Sequence, residues 1–461
     1  MLNQESIAAV RAARFGHGLT RPLYESYNFS RLPGTIQRLL CGQADPALPP
    51  LPESCLPPGM SRADHVIFVL IDGLGWDKLA AGLNQAGLYP ATALSLEAPD
   101  ANPAAGHRPP RFAGLRRFME HGTVSALTSQ FPSTTVVHSV TMASGLPPGQ
   151  AGCLEWFYHE PRLGRVIAPF LMSYAGDRVY GSVKADGFGP ADIFPPGHFP
   201  RRLKEAGVTS YVYTNAAFTP SDFSRRMHQD AVVVPTLSPA AAFAQVRQNL
   251  AATPKGWHFL YLDSFDTLEH RLGATSPVAL AEAENFFLLL DDFITSLGGA
   301  CPANSLLLVT ADHGQVDQRP ADAIYLNRLW PGLADYLQTG RDGSPLVAAG
   351  GGGRSLNLHL KPGVWQTVQT RLRQLLAGRA EVFSHQELLA INAYGPGPLL
   401  PDLAARAGDL VVLPEKDEAV WWFEAGRFDV HNHGNHGGLS NAEMEVFLLA
   451  LRLDGDGNGS A

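Results

Sequence analysis

Cysteine is scarce in this chain. There are four, Cys41, Cys55, Cys153 and Cys301, and no Cys-x-x-Cys pair. That removes the simplest thiol-based metal or redox motif, and a chain of 461 residues needs no disulfide framework. Cys41 and Cys55 are near enough in sequence to bridge, but no bridge is expected. Positive charge is also short. Lys and Arg number 35 against 43 Asp and Glu, a net charge of -8. This argues against nucleic-acid backbone binding as the main role. Long apolar runs are missing too: the longest, such as residues 66–71, are too short to cross a bilayer. The N-terminal MLNQESIAAVRAARFG lacks the apolar core of a signal peptide, so a soluble, cytoplasmic protein is the expectation. No internal repeat is visible. What remains is a globular composition, 45% hydrophobic and 17% charged, long enough for one large domain or a core with a smaller lobe.

The run HVIFVLI at 65–71 is continuously apolar and rich in β-branched residues, the pattern of a buried parallel strand. It ends in the tight turn DGLG at 72–75, and a helix follows from Trp76 towards Gly87. Further strands are predicted at 122–128, 210–214, 232–234, 258–262, 305–310 and 445–451. Helices are predicted at 115–120, 199–206, 239–250 and 277–297. Strands alternating with helices, with polar residues at the strand ends, is the doubly wound α/β pattern, whose ligands sit outside the carboxyl ends of the strands. The rest of the chain is organised around that core. Residues 1–60 read as an N-terminal wrapping segment, with 43–59 an extended Pro- and Leu-rich connection. Residues 92–111 read as a loop or insertion, and 157–200 as loops or short strands near the site. The catalytic core is assigned to 61–319 and 431–454, with a polar tail after it. Residues 320–430 change character and read as a smaller inserted α+β lobe, with strands at 355–360 and 409–413 and helices at 364–377 and from 384. The glycine run at 349–353 reads as a hinge, since no Gly-Lys-Ser/Thr follows it.

The stretch FPSTTVVHSVTMASG at 131–145 places two threonines, Thr134 and Thr135, before an apolar run that ends in glycine. A hydroxyl at a helix N-terminus is well placed to attack phosphorus and to hold the resulting charge. The bland reading is an ordinary helix cap. The strand ends elsewhere change the balance. They carry Asp72, Asp266 with His270, and Asp312 with His313, and a last cluster carries His431, His433 and His436. Singly, these are turn residues or surface pairs. Together they are the carboxylate and imidazole mixture of a zinc site. Asp266 and His270, four apart, share a helical face. Asp312 and His313, adjacent at a strand end, point in opposite directions and reach around a second ion or bridge towards the first.

Five segments, in order, resemble the alkaline phosphatase superfamily and, within it, the nucleotide pyrophosphatase/phosphodiesterase (type I phosphodiesterase) family. They are VIFVLIDGLGWD (66–77), FPSTTVVHSVTMASGLPPGQAG (131–152), YLDSFDTLEHRLG (261–273), LLLVTADHGQVD (306–317) and HGGLSNAEM (436–444). The resemblance implies an alkaline-phosphatase-like core sheet with helices on both faces. It implies two divalent metal ions, zinc in the family. Asp72, Asp312, His313 and the Thr135 oxygen would hold one, and Asp266, His270 and His436 the other. It also implies Thr135 as the nucleophile and a phospho-threonine intermediate, with Thr134 and His433 as runners-up to Thr135 and His436. Two departures stand out: the family's His-Gly after the nucleophile helix is Ala151-Gly152 here, and its phosphate-holding Asn, which falls near Glu155–Trp156, is absent.

The implied partner is a small phosphate ester or nucleotide, with no nucleic-acid polymer and no membrane span. Trp156, Phe157 and Tyr158 can stack on a base or aryl leaving group, against the plainer reading of core packing. Cleavage of phosphodiester or nucleotide pyrophosphate bonds leads. A phosphomonoesterase or phosphonate hydrolase on the same site is the alternative, and a non-catalytic metal-binding sensor stands behind both. A basic residue beside Thr135 would favour a monoester, and Arg178, Lys184, Arg225 and Arg226 are the candidates.

Overall fold

The computed structural model describes residues 1–85, 88, 113–195, 197–297, 301–350, 353–425 and 428–453. The predicted loop at 92–111, part of the glycine run and the C-terminal tail lie outside the described residues. Seven strands form the central sheet. They are β1 (His65–Ile71), β2 (Thr123–Thr128), β3 (Thr209–Asn215), β4 (Val232–Thr236), β5 (Gly256–Leu262), β6 (Ser305–Thr310) and β7 (Glu445–Arg452). Their order across the sheet is β2-β7-β6-β1-β5-β3-β4. Every pairing among β6, β1, β5, β3 and β4 is parallel, and β7 runs antiparallel to both of its neighbours. All seven residues of β1 are buried. A strand covered on both faces must be apolar throughout, which is why its sequence does not alternate.

Register carries the chemistry to one edge. Leu70 pairs with Thr310 and Ile71 with Leu262, so the chain leaves β1, β6 and β5 side by side at their carboxyl ends. Asp72, Asp312 and Asp266 follow those ends. The N-terminal segment covers the free edge of β2: Asn3 N donates to Val124 O at 2.8 Å and Thr128 N to Tyr27 O at 2.8 Å. Covering an edge in this way removes a template for unwanted strand pairing.

A second, four-stranded sheet is ordered Val347–Gly350, Ser355–Leu358, Leu410–Pro414, Ala380–Ser384. Two of these strands escape the sequence reading. Ala380–Ser384 does carry an alternating burial signal, buried at every second residue. Val347–Gly350 hides in a run of alanine and glycine. Its antiparallel pairing sets Gly350 opposite Ser355; residues 351 and 352, in the run expected to be a hinge, lie outside the described residues. Segment 157–200 holds a small three-stranded sheet, Tyr158–Glu160, Arg165–Ala168 and Ser173–Tyr174. All four cysteines are free thiols. Among the described residues no helix is long and apolar enough to cross a membrane.

Several histidines are buried outright, and burial depresses them: His258 and His359 to about 3, His198 and His228 to about 4. In the unfolded chain they titrate near 6.5. The stability these groups contribute is therefore complete above that value and is lost as pH falls towards the folded values. The melting temperature should fall steadily below about pH 6.5, each such histidine adding about 1.4 kcal/mol per pH unit to the slope. Thermal melts between neutral pH and pH 4 check this. A flat profile down to pH 5 would show that these imidazoles are not buried neutral.

Candidate active site

Thr135 is the first residue of the helix Thr135–Ser144, and Thr134 is its cap in extended conformation. The loop before it is held by His138. Gln130 N donates to His138 Nε2 at 3.2 Å, and His138 Nδ1 meets Thr134 O at 2.8 Å. This aims the Thr135 hydroxyl back over the ends of β1 and β6. Its Oγ1 lies 3.2 Å from Asp72 Oδ1, 3.3 Å from Asp72 Oδ2 and 3.3 Å from His313 Nε2. Thr134, 1% exposed, instead gives its carbonyl to His138.

The expected ligands converge. One donor atom each from Asp72, Asp312 and His313 lie within 4.8 Å of one another, and so do atoms of Asp266, His313 and His436. His313 therefore belongs geometrically to both groups, and its ring stacks on His436 with centroids 3.6 Å apart. His270 lies at the open side: its Nε2 is 3.4 Å from Asp266 Oδ2, and its side chain is 23% exposed. The three imidazoles share one arrangement. Nδ1 of His313, His436 and His270 faces the carbonyl of Gly314, Ser133 and Gly434, at 3.2, 2.8 and 2.8 Å. That fixes the ring and leaves Nε2 for the site, as metal-ligating histidines are held. His433 is exposed, and its backbone pairs with His270 O.

Glycine is required at two turns. Gly73 has φ +80°, and a Cβ there would lie 3.3 Å from Asp266. A Cβ on Gly314 would lie 2.1 Å from Ala442 O. Gly73 is needed for its left-handed φ, and Gly314 because its turn comes closer to Ala442 than a side chain permits.

The electrostatics are those of a cation site. Burial pushes Asp266 up to about 6 despite His270, and burial with the Asp72 charge pushes Asp312 well above the carboxylate range. Burial pulls the His313 imidazole down, but the carboxylates of Asp312 and Asp72 prevail and hold it up to about 10. Burial and the neighbouring His313 push His436 well down. Asp312 Oδ2 is buried without a hydrogen-bond partner. A donor set of carboxylate oxygens and imidazole Nε2 atoms, with a carboxylate oxygen left unsatisfied, fits divalent cations, whose charge would favour ionised carboxylates and neutral imidazoles.

Several contributors escape the sequence reading. Tyr261 donates its hydroxyl to Asp72 Oδ2, and Gln315 donates its amide to Asp266 Oδ1. Their only local signal is a place next to a ligand motif. Glu155, noted as a departure, is fully buried. It accepts from Trp156 N at 2.6 Å and from Ser355 Oγ at 2.9 Å, and burial lifts it to about 8. A Cβ on Gly437, the residue after His436, would come within 2.8 Å of its Oε1.

The aromatic trio packs. Tyr158 is 0% exposed, with Arg406 5.4 Å from its ring centre. Trp156 meets Phe170 edge-on at 5.3 Å, and Phe157 meets Phe428 at 5.8 Å. Of the basic candidates, Lys184 and Arg225 pair with Asp222, and Arg226 donates to Gln229.

The fold gathers carboxylate and imidazole clusters able to hold divalent cations at one edge of the sheet, the class of site that metal-dependent hydrolases use. The type I phosphodiesterase / nucleotide pyrophosphatase family model matches residues 107–439, and the chain belongs to that family of enzymes. Its fold is similar to solved structures of low identity. Murine ectonucleotide pyrophosphatase/phosphodiesterase 5, in complex with AMP, is 17% identical with a TM-score of 0.55, over 84% of this chain and 87% of that one. Phosphonoacetate hydrolase from Sinorhizobium meliloti, in complex with phosphonoacetate, is 18% identical with a TM-score of 0.56, over 86% of this chain and 92% of that one. A search of curated proteins finds no match.

Proposed function

We propose that this chain is a two-zinc phosphodiesterase or nucleotide pyrophosphatase that attacks phosphorus with the Thr135 hydroxyl. The observation that supports it best is the placing of Thr135 Oγ1, 3.2 Å from Asp72 Oδ1 and 3.3 Å from His313 Nε2, at a helix N-terminus. Asp72, Asp312, His313 and Thr135 would hold one cation, and Asp266, His270 and His436 the other. When bound, the cations supply Lewis acidity for the nucleophile and the leaving oxygen. The chain's own residues do the rest. Asp72 accepts the hydroxyl hydrogen bond and turns an Oγ1 lone pair towards the site. The helix N-terminus adds partial positive charge where the phosphoryl oxygens gather. As the Thr135 hydroxyl proton passes by way of Asp72 to solvent, a bond forms from Oγ1 to phosphorus and the ester oxygen leaves, taking a proton from water; a water oxygen then bonds to phosphorus, the bond from phosphorus to Oγ1 breaks, and Oγ1 regains its proton. Lys184 and Arg225 are paired with Asp222, so neither stands free to meet the extra charge of a monoester. That favours a diester.

The test is zinc-loaded protein on bis-p-nitrophenyl phosphate against p-nitrophenyl phosphate. The diester should be the faster substrate. Chelation should lower turnover by about a hundredfold or more, with zinc restoring it. A faster monoester would reassign the enzyme as a phosphatase. Two bound metals with neither ester cleaved would point to a phosphonate substrate or to a sensor.

A further inference from the structure

Each of the two donor groups has one carboxylate that receives a hydrogen bond from a side chain outside the seven proposed ligands. Tyr261 donates to Asp72 Oδ2, and Gln315 Nε2 donates to Asp266 Oδ1. Both oxygens of each carboxylate stay in the site: Asp72 Oδ1 lies 3.3 Å from His313 Nε2 and Oδ2 3.3 Å from Thr135 Oγ1, while Asp266 Oδ2 lies 3.4 Å from His270 Nε2 and Oδ1 3.5 Å from His436 Nε2. A carboxyl group turns freely about its last torsion, so an untethered Asp offers a cation a blurred target. A donor fixed on one oxygen removes that freedom.

Both donors are rigidly mounted. Tyr261 is the penultimate residue of β5, paired with Leu70 of β1, and its ring packs on Phe218 with centroids 6.5 Å apart. Gln315 is 3% exposed and follows Gly314, whose close approach to Ala442 fixes the turn. Its Oε1 is buried with no hydrogen-bond partner. A buried amide with an unsatisfied acceptor is costly, which points to its donor end as the reason for its presence.

We propose that Tyr261 and Gln315 are positioning residues, one for each cation: Tyr261 orients Asp72 in the site beside Thr135, and Gln315 orients Asp266 in the other. The inference rests on the two-metal reading above. It assigns the two residues to different sites, which a general packing role does not.

The experiment is zinc competition against a chromophoric chelator, with thermal melts of the metal-free proteins. The wild type should bind two zinc ions. Tyr261→Phe and Gln315→Leu should each weaken one ion by about ten- to a hundredfold and leave the other unchanged. In an Asp72→Asn background, Gln315→Leu should still weaken the remaining ion, whereas Tyr261→Phe should do nothing further. Metal-free melting temperatures of the single variants should match the wild type. Gln315→Met, which keeps chain length and removes the donor, serves if the leucine variant does not fold. Two wild-type ions with unchanged affinity in Tyr261→Phe and Gln315→Leu would overturn this proposal alone. So would affinity losses matched by equal losses of metal-free stability. A wild type that binds no zinc would overturn the two-metal reading and this proposal with it.

Discussion

Thr135→Ala should lower kcat/KM on a diester by at least about 10³-fold, as removal of a covalent nucleophile does. Among the described residues, the Thr135 hydroxyl is the nucleophilic group placed against both Asp72 and His313. The fold should be unaffected, because the helix Thr135–Ser144 keeps its cap and its apolar packing. Thr135→Ser should retain part of the activity, since it keeps the oxygen and drops only a methyl. Rapid-quench mass spectrometry should find phosphate on Thr135 in the wild type. Full turnover by Thr135→Ala would mean that the nucleophile lies elsewhere.

The second large effect is on stability. Arg354 and Glu443 are both 0% exposed and form a two-pronged pair, Nε to Oε1 at 3.1 Å and an outer nitrogen to Oε2 at 2.8 Å. The other guanidinium contacts are the carbonyls of Glu415, Glu418 and Pro414. Burial would raise the Glu443 carboxyl, but Arg354 holds it below the usual range. Glu443 also accepts from Gly438 N at 2.9 Å and from Ser440 Oγ, so the pair ties the loop after His436 to the four-stranded sheet. Glu443→Gln leaves a buried guanidinium without its counter-charge and should cost about 3–5 kcal/mol. Arg354→Met should cost a similar amount. The double variant Arg354→Met/Glu443→Gln should cost less than the sum of the singles, because it strands neither charge. Urea unfolding of the four proteins measures the coupling. A single-variant cost under about 1 kcal/mol would mean that water reaches the pair.

Much of this could be read along the chain. HVIFVLI, SLLLVT and EVFLLALR are strands because no other structure buries short continuous apolar runs so well. Helix 239–250 is legible to the residue, because Ser238 caps it and Pro239 opens it. The positions of Asp72, Asp312 and His313 just beyond strands are also legible, since polar residues interrupting apolar runs mark strand ends. Those signals are local, and local pattern is what a sequence records directly.

Tertiary structure decided the rest. Nothing in one dimension says that β7 enters antiparallel between β2 and β6, or that His313 stands between two donor groups. Thr135 lies 63 residues from Asp72 and 178 from His313. Arg354 lies 89 from Glu443. Tyr261 and Gln315 look like any tyrosine on a strand and any glutamine after a turn until register brings them against Asp72 and Asp266. Periodicity and turn chemistry act over a few residues, and so they specify elements and their ends. Which ends meet, and which side chain holds which carboxylate, follows from the packing of the whole sheet.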